Sequence, residues 1–112
     1  MADTTRLRQI VVDRALKGPG TASAEHRRAA YDLNKGALPE AVRELIDKIA
    51  KYAYKVTDED VDAAKTAGIA EDALFELAVC AALGQAMRQL DTAYGAIVAA
   101  ERGLAAPTKG VV

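Results

Sequence analysis

Glu76 and Cys80 are the two residues of this chain whose types and spacing most suggest chemistry. They stand four positions apart in the segment 73–83, where every other residue is apolar, so a helix would place them on one face. An ionised carboxylate among apolar neighbours needs a partner or takes up a proton. We therefore expect an Arg or Lys partner from a neighbouring helix or subunit. Proton transfer at a small-molecule pocket is the alternative.

Cys80 is the only cysteine of the chain. A single thiol cannot complete a two-thiol redox cycle, and it cannot form a disulfide within the chain. Among apolar neighbours a thiol is usually a small buried hydrophobe with a raised pKa. We therefore predict no peroxide or disulfide reductase activity.

Four other polar residues are weaker candidates. Arg88 and His26 are possible catalytic groups, but His26 lies among the charges of a short predicted helix, which favours a solvated side chain. Tyr52 and Tyr54 precede a predicted turn, from which they could reach the pocket beside Glu76. We place them with Cys80 at the rim of that pocket, and packing with a solvated hydroxyl is their alternative role.

Several classes of ligand are excluded by the sequence. No His and Cys cluster has metal-ligand spacing, and the glycines of the segment 17–20 form a turn rather than a phosphate loop, so we expect neither metal nor cofactor. The fifteen basic and sixteen acidic residues are mixed along the chain, which argues against nucleic acid. The segment 63–69 resembles a helix-turn-helix turn, but the helix after it begins acidic and apolar, unlike a base-reading helix.

Length and composition predict one all-α domain. The chain has 112 residues, with 51% apolar but only 4% aromatic residues, which suits closely packed helices of Ala, Val, Leu and Ile. No run approaches the roughly 20 apolar residues of a membrane span. The single cysteine and the lack of a signal-peptide core favour the cytoplasm. We predict a helical domain over 1–103 and a flexible tail over 104–112.

Five helices must position the candidate residues. Glycine and proline end the first helix, Pro39 begins the third, Thr57 caps the fourth, and Gly68 separates the fourth from the last. The apolar periodicity then predicts helices over about 4–16, 24–33, 39–54, 58–67 and 71–102.

The last helix is long and contains no proline. Its apolar side chains project to one face: Phe75, Val79, Ala82, Ala86, Leu90, Ala93 and Ile97. Its first half is apolar all round, so more surface must cover it than the other helices can supply. We therefore predict an obligate oligomer of identical chains with closed symmetry. Small residues such as Ala81 and Gly84 allow helices to approach closely, and we predict the interface at Ala81, Gly84 and Met87.

Three segments in the second half of the sequence form one pattern: 56–61 (VTDEDV), 67–69 (AGI) and 72–79 (DALFELAV), within about 38–100. This pattern resembles one that recurs in the alkylhydroperoxidase D-like and carboxymuconolactone decarboxylase superfamily, which we call the AhpD-like superfamily. In that pattern a short capped helix, a glycine-containing turn and a long Ala-rich helix form a packing unit. The resemblance implies an AhpD-like helical bundle of about five helices with the long C-terminal helix at its centre. Ala70 stands where relatives usually have a capping Ser.

The redox residues of the AhpD-like superfamily are absent. Its redox members are similar in carrying Glu, eleven residues, Cys, two residues, Cys, three residues and His. If Glu76 is aligned with that glutamate, Arg88, Asp91 and Gly95 occupy the Cys, Cys and His positions. Alignment on the Leu-Ala-Val segment places Gln85, Arg88 and Thr92 there instead. Neither alignment supplies a Cys or a His, which implies a pseudoenzyme.

Two functions follow from the resemblance and stay open at this point. One is a non-redox structural or small-ligand-binding subunit that assembles with itself or with a cysteine-bearing paralogue. The other is a cofactor-free decarboxylase-type enzyme that acts on a small carboxylated lactone or related acid by acid-base chemistry. The lack of a placed His favours the first function.

Overall fold

A computed structural model describes residues 2–103, and all regular structure in this range is helical. The helices are α1 (Ala2–Lys17), α2 (Ala24–Asp32), α3 (Glu40–Tyr52), α4 (Asp58–Thr66) and α5 (Glu71–Glu101). Single turns of 3-10 helix lie at Lys35–Ala37 and Ala53–Lys55. The predicted all-α class with a long C-terminal helix is confirmed. The tail predicted over 104–112 lies outside the described residues.

Local side-chain contacts explain where the short helices begin and end. The Ser23 hydroxyl accepts a hydrogen bond from the His26 amide at 3.0 Å and begins α2. Leu33, in the left-handed conformation with φ 58°, ends it. At α4, Thr57 and Asp60 form a reciprocal capping box.

The core lies where α5 packs against α2 and α3, and α1 contacts both α2 and α5. Its most buried side chains come from three helices: Ala30 of α2, Val42 and Ile46 of α3, and Ala81 of α5 are all fully buried. These four residues are small or branched and lack aromatic rings, as the composition predicts. The core therefore holds the first half of α5 against a layer formed by α2 and α3.

The first half of α5 is covered on one side only within this chain. Leu74 and Leu77 are buried against the core, whereas Phe75 is 69% exposed and Val79 is 41% exposed. From the sequence we expect this segment to need more cover than the other helices of one chain supply. Within the chain, α2 and α3 cover one face of α5 and α1 borders another, which leaves the face of Phe75 open.

The close approach predicted at Gly84 occurs with α2 of the same chain. A Cβ at position 84 would overlap the carbonyl group of Tyr31, and both Ala81 and Gly84 are buried, while Met87 is half-buried against the core. The surface that the sequence analysis assigned to a subunit interface at these residues is thus largely occupied by the chain's own core.

α1 runs antiparallel beside α5. The Ala15 carbonyl lies 3.5 Å from Cys80 Sγ, and Arg8 near the start of α1 forms a 2.7 Å ion pair with Asp91 further along α5. Apolar side chains remain exposed on the outer side of α1. Within residues 2–103 no helix combines the length and apolar character that crossing a bilayer requires.

Candidate functional site

Glu76 fastens α5 to the loop between α1 and α2. Its carboxylate accepts hydrogen bonds from the backbone amides of Thr21, at 2.9 Å, and Ala22, at 2.7 Å. The loop can approach this closely because residue 20 is glycine, and a Cβ there would lie 2.7 Å from the carboxylate. The partner of Glu76 is therefore backbone, rather than the Arg or Lys side chain expected from the sequence.

The two amides also decide the protonation state of Glu76. The hydrogen bonds from Thr21 and then Ala22 lower the pKa of Glu76 below its ordinary value, and the positive charge of Arg27 adds to this effect. The carboxylate is thus ionised at neutral pH, and each of its oxygens accepts one backbone hydrogen bond. This environment suits a structural anchor and disfavours a general acid.

Cys80 lies one helical turn beyond Glu76 and is 1% exposed. Its Sγ donates to the Ala15 carbonyl at 3.5 Å. Burial raises the pKa of the Cys80 thiol. The sulfur therefore stays protonated and inaccessible, which is the environment of a small buried hydrophobe.

Arg27 is a buried charge that the sequence analysis did not single out. It is only 7% exposed, and its Nη1 donates to the carbonyls of Gly18, at 2.7 Å, and Ala15, at 3.3 Å. A guanidinium in this place satisfies carbonyls at the C-terminal end of α1. Its Nε is buried without a hydrogen-bond partner. The charged segment 25–28 is typical of a solvent-exposed helix face. The sequence therefore gives no signal that Arg27 is buried and binds the carbonyls at the end of α1.

A small cavity of about 170 Å³ brings Glu76, Cys80 and Arg27 together. Guanidinium, carboxylate and apolar groups converge there, so the cavity could hold a ligand of a few atoms. It is smaller than the roughly 300–1,000 Å³ of ordinary ligand pockets. Its lining residues are Arg14, Ala15, Pro19, Arg27, Phe75, Glu76, Val79 and Cys80.

Tyr52 lies at a different cavity, on the side of α3 and α4. This cleft of about 540 Å³ is lined mainly by charged side chains, and four of these charges form two ion pairs, Lys35–Asp47 and Lys48–Asp60. Lys48 Nζ lies 2.8 Å from Asp60, and this hydrogen bond lowers the pKa of Asp60. Lys55 lies over the rings of both Tyr52 and Tyr54, 5.1 Å and 5.8 Å from their centroids. The cavity of Glu76 and Cys80 is lined by neither tyrosine.

Arg88 and His26 lie apart from the small cavity as well. Arg88 donates to the Tyr31 carbonyl at 2.6 Å and to Gln85 Oε1 at 3.1 Å, so it ties α5 to the last turn of α2. His26 is half-buried in the first turn of α2 and lines neither cavity described above. Among the described residues, no three or more His, Cys, Asp or Glu side chains are grouped to hold a metal ion.

Comparison with known proteins adds no relative: no family model, curated protein or solved structure matches the chain. The AhpD-like superfamily therefore stays an expectation from the sequence pattern of the capped helix, the glycine turn and the long helix.

Proposed function

We propose that this chain is a non-redox relative of the AhpD-like superfamily that acts as a structural subunit of an oligomer. One observation carries the proposal: a large apolar surface on α1 and α5 that the chain itself leaves uncovered. The surface consists of eight side chains, each at least two-fifths exposed: Leu7, Ile10, Val11, Phe75, Val79, Leu90, Tyr94 and Ile97.

The extent of this surface favours assembly over a monomer. The eight side chains together expose on the order of 800 Å², which is about what one partner contributes to a stable interface. Burying such an area removes apolar surface from water, and this is the main favourable term in association.

The small cavity supports catalysis less well. A general acid should hold a proton near neutral pH, yet the Thr21 and Ala22 amides keep Glu76 ionised. A nucleophilic thiol should be an accessible thiolate, yet Cys80 is buried and its pKa is raised. These two groups support a packing and anchoring role.

Binding of a small ligand is a second role that one observation favours. Phe75 and Val79 belong both to the exposed apolar surface and to the lining of the cavity that holds Arg27. A subunit seated on that surface would cover the mouth of the cavity. A small anion or carboxylate would then meet the buried guanidinium in a closed site.

Light scattering coupled to size exclusion tests the proposed function over a range of protein concentrations. We expect a mass that is a multiple of the single chain. In a parallel assay with an organic peroxide and a dithiol reductant, wild type and Cys80→Ser should both lack turnover. A single-chain mass at every concentration, or peroxide turnover that Cys80→Ser abolishes, contradicts the proposal.

A further inference from the structure

The apolar face of α5 has symmetric spacing about Ala86. We call its seven residues the α5 stripe, and all of them are exposed: Phe75, Val79, Ala82, Ala86, Leu90, Ala93 and Ile97. Ala86 lies eleven residues from each end of the stripe, and the inner members lie seven and four residues from it on both sides. The stripe therefore reads the same from either direction.

Such a palindrome matches the requirement of an antiparallel helix pair. A two-fold axis at Ala86 places each residue opposite the one equally far beyond Ala86 in the second copy. Every stripe residue then meets another stripe residue, and no apolar position faces a polar one. The spacing repeats after eleven residues, which is three helical turns of about 3.67 residues each. This value is close to the period of an α-helix, so the stripe runs nearly parallel to the helix axis.

Side-chain sizes on the stripe also suit this arrangement. Leu90 would face Ala82 of the second copy, and Val79 would face Ala93 of the second copy, so a larger side chain meets a small one at these levels. Ala86 would face Ala86 of the second copy. Because each side chain there is only a methyl group, the two helices can approach closely. Alternation of large and small residues across facing positions is what lets helix layers interdigitate.

Further exposed apolar side chains lie on α1, the helix that borders α5. α1 runs beside α5, fixed by the Arg8–Asp91 ion pair, and it carries the exposed Leu7, Ile10 and Val11. Two antiparallel α5 helices would thus be bordered by the two copies of α1. Antiparallel packing also sets the negative C-terminal end of each α5 dipole beside the positive N-terminal end of the other.

We propose that two copies of this chain form a two-fold homodimer in which the α5 stripes pack antiparallel and cross at Ala86. This inference rests on the proposed structural function and adds the partner, the surface and the geometry. It also implies that the small cavity is closed from solvent only in the dimer. Phe75 and Val79 line the cavity, and the part of the second copy around Ile97 would close it.

Single cysteines introduced on the stripe test this geometry. Ala86→Cys should form a disulfide-linked dimer under mild oxidation, because the two copies of this position meet at the axis. Ala93→Cys alone should not form such a link. Position 93 faces position 79 of the second copy, so the two introduced cysteines are fourteen residues of helix apart, about 21 Å, whereas a disulfide needs Cα atoms within about 7 Å. The double variant Val79→Cys with Ala93→Cys should link, because each position faces the other across the pair.

Two controls accompany these variants. The wild-type chain retains Cys80, which is 1% exposed and should not form links between chains. Gly95→Cys places a thiol in open space on α5 off the stripe, and it measures collisional links. Circular dichroism of each variant checks that helix content is kept.

The outcomes separate this inference from the proposed function. Efficient linking of Ala86→Cys and of the double variant, with Ala93→Cys at the collisional level of Gly95→Cys, supports the antiparallel dimer. A multimeric mass in which Ala93→Cys links as well as Ala86→Cys indicates parallel helices, so the geometry is overturned while the structural function stands. A multimeric mass without links above the collisional level also overturns the geometry. A single-chain mass without such links overturns both.

Discussion

At the residue scale, Glu76 is a carboxylate in an apolar helix, where a cationic partner is expected. Two backbone amides take the place of that cation. The Thr21 and Ala22 amides lie in a loop without regular structure, where they would otherwise need water as an acceptor. The carboxylate satisfies both at once, and this contact ties α5 to the connection between α1 and α2. The anchor depends on Gly20, because any larger residue would meet the carboxylate.

We expect Glu76→Gln to lower the free energy of unfolding at neutral pH, and to do so less in acid. The folded-state pKa of Glu76 is lowered, so its stabilisation is fully present above the unfolded-state pKa of about 4.3. It is lost as the pH falls through the lower folded-state pKa. Urea midpoints of wild type and variant should therefore differ at pH 7 and converge toward pH 3.

Glu44→Gln serves as the matched control, because Glu44 is exposed on α3. Its midpoint should follow that of wild type at both pH values. A Glu76→Gln midpoint equal to wild type at pH 7, or an equal difference at both pH values, would show that the charge of Glu76 does not stabilise the fold.

Gly84 and Gly95 give a second prediction at the residue scale, because both are glycines within α5 in different surroundings. Alanine is favoured over glycine in a helix interior by about 1 kcal/mol. At position 84 the new Cβ would overlap the Tyr31 carbonyl, whereas at position 95 it would meet open space. We expect Gly95→Ala to stabilise by up to about 1 kcal/mol, and Gly84→Ala to destabilise by about 1–3 kcal/mol through overpacking.

Chemical denaturation of both variants in parallel checks this prediction. Equal stabilisation by the two substitutions would mean that α2 can retreat from α5 at little cost.

The sequence could predict types of environment at this scale but not partners. It placed Cys80 in apolar surroundings and indicated a close approach at Gly84. It could not show that Glu76 meets amides, because the loop of Thr21 and Ala22 is far away in the chain and carries no side-chain signal. Arg27 was missed for a related reason: its acceptors are backbone carbonyls, which every residue possesses.

At the element scale, α4 and α5 begin in opposite ways. The Thr57 hydroxyl accepts from the Asp60 amide at 3.2 Å, and the Asp60 side chain accepts from the Thr57 amide at 3.0 Å. α5 begins at Ala70, whose side chain cannot accept a hydrogen bond. The longest described helix thus has no side-chain cap for the amides of its first turn.

We expect Ala70→Ser to raise the free energy of unfolding by about 1 kcal/mol. Ala70 is exposed and already has the extended backbone of an N-cap, with φ −62° and ψ 143°, so a serine hydroxyl can accept from the first-turn amides without rearrangement. Thr57→Ala should have the opposite effect, a loss of about 1 kcal/mol, because it removes an existing cap.

Ala96→Ser is the control for Ala70→Ser. It makes the same chemical change at an exposed position in the interior of α5, where serine is slightly less favourable than alanine. Thermal or urea unfolding that shows no gain for Ala70→Ser over Ala96→Ser would contradict the capping argument.

Helix positions were predictable because caps and turn residues are local signals. The predicted start of α4 after Thr57 and the end of α5 near Glu101 agree closely with the structure. The end of α3 does not, because the sequence predicts a helix through Tyr54 while α3 ends at Tyr52. The backbone leaves the helical region at Tyr52, with φ −141° and ψ 52°, and a 3-10 turn follows. No proline or glycine marks that position.

At the scale of the whole molecule, the chain is extended for its size. Its radius of gyration is 16.9 Å, whereas a compact domain of this length has about 13 Å. The long axis of 53 Å reflects α5. The second half of α5 is bordered by α1 through the Arg8–Asp91 ion pair, yet it still exposes Leu90, Tyr94 and Ile97. Such an element gains little from packing within one chain, which is a physical reason to expect a partner along it.

The sequence indicated that α5 is incompletely covered, since its apolar circumference exceeds what four shorter helices can pack. It could not indicate which face stays open. Ala81 and Gly84 have the small side chains that subunit interfaces favour, but α2 occupies that face. The open face carries Phe75 and Leu90 instead, and identifying it required the packing of α2 and α3 against α5.

The proposed dimer predicts that unfolding depends on protein concentration. An equilibrium between two folded copies and unfolded single chains shifts toward the dimer as concentration rises, so the wild-type thermal midpoint should rise with it. Ala86→Glu should remove this dependence. The two-fold axis would bring two carboxylates together in an apolar interface, where they repel each other and lose their hydration.

Gly95→Glu is the matched control for Ala86→Glu, because it adds the same charge to the same helix at a position with open space around it. It should keep the wild-type mass and the concentration dependence, whereas Ala86→Glu should give the single-chain mass in light scattering. Since Ala86 is exposed within one chain, its substitution should leave the contacts of α5 with α2 and α3 in place. A dimeric mass for Ala86→Glu, or loss of the dimer in both variants, would contradict a two-fold axis at Ala86.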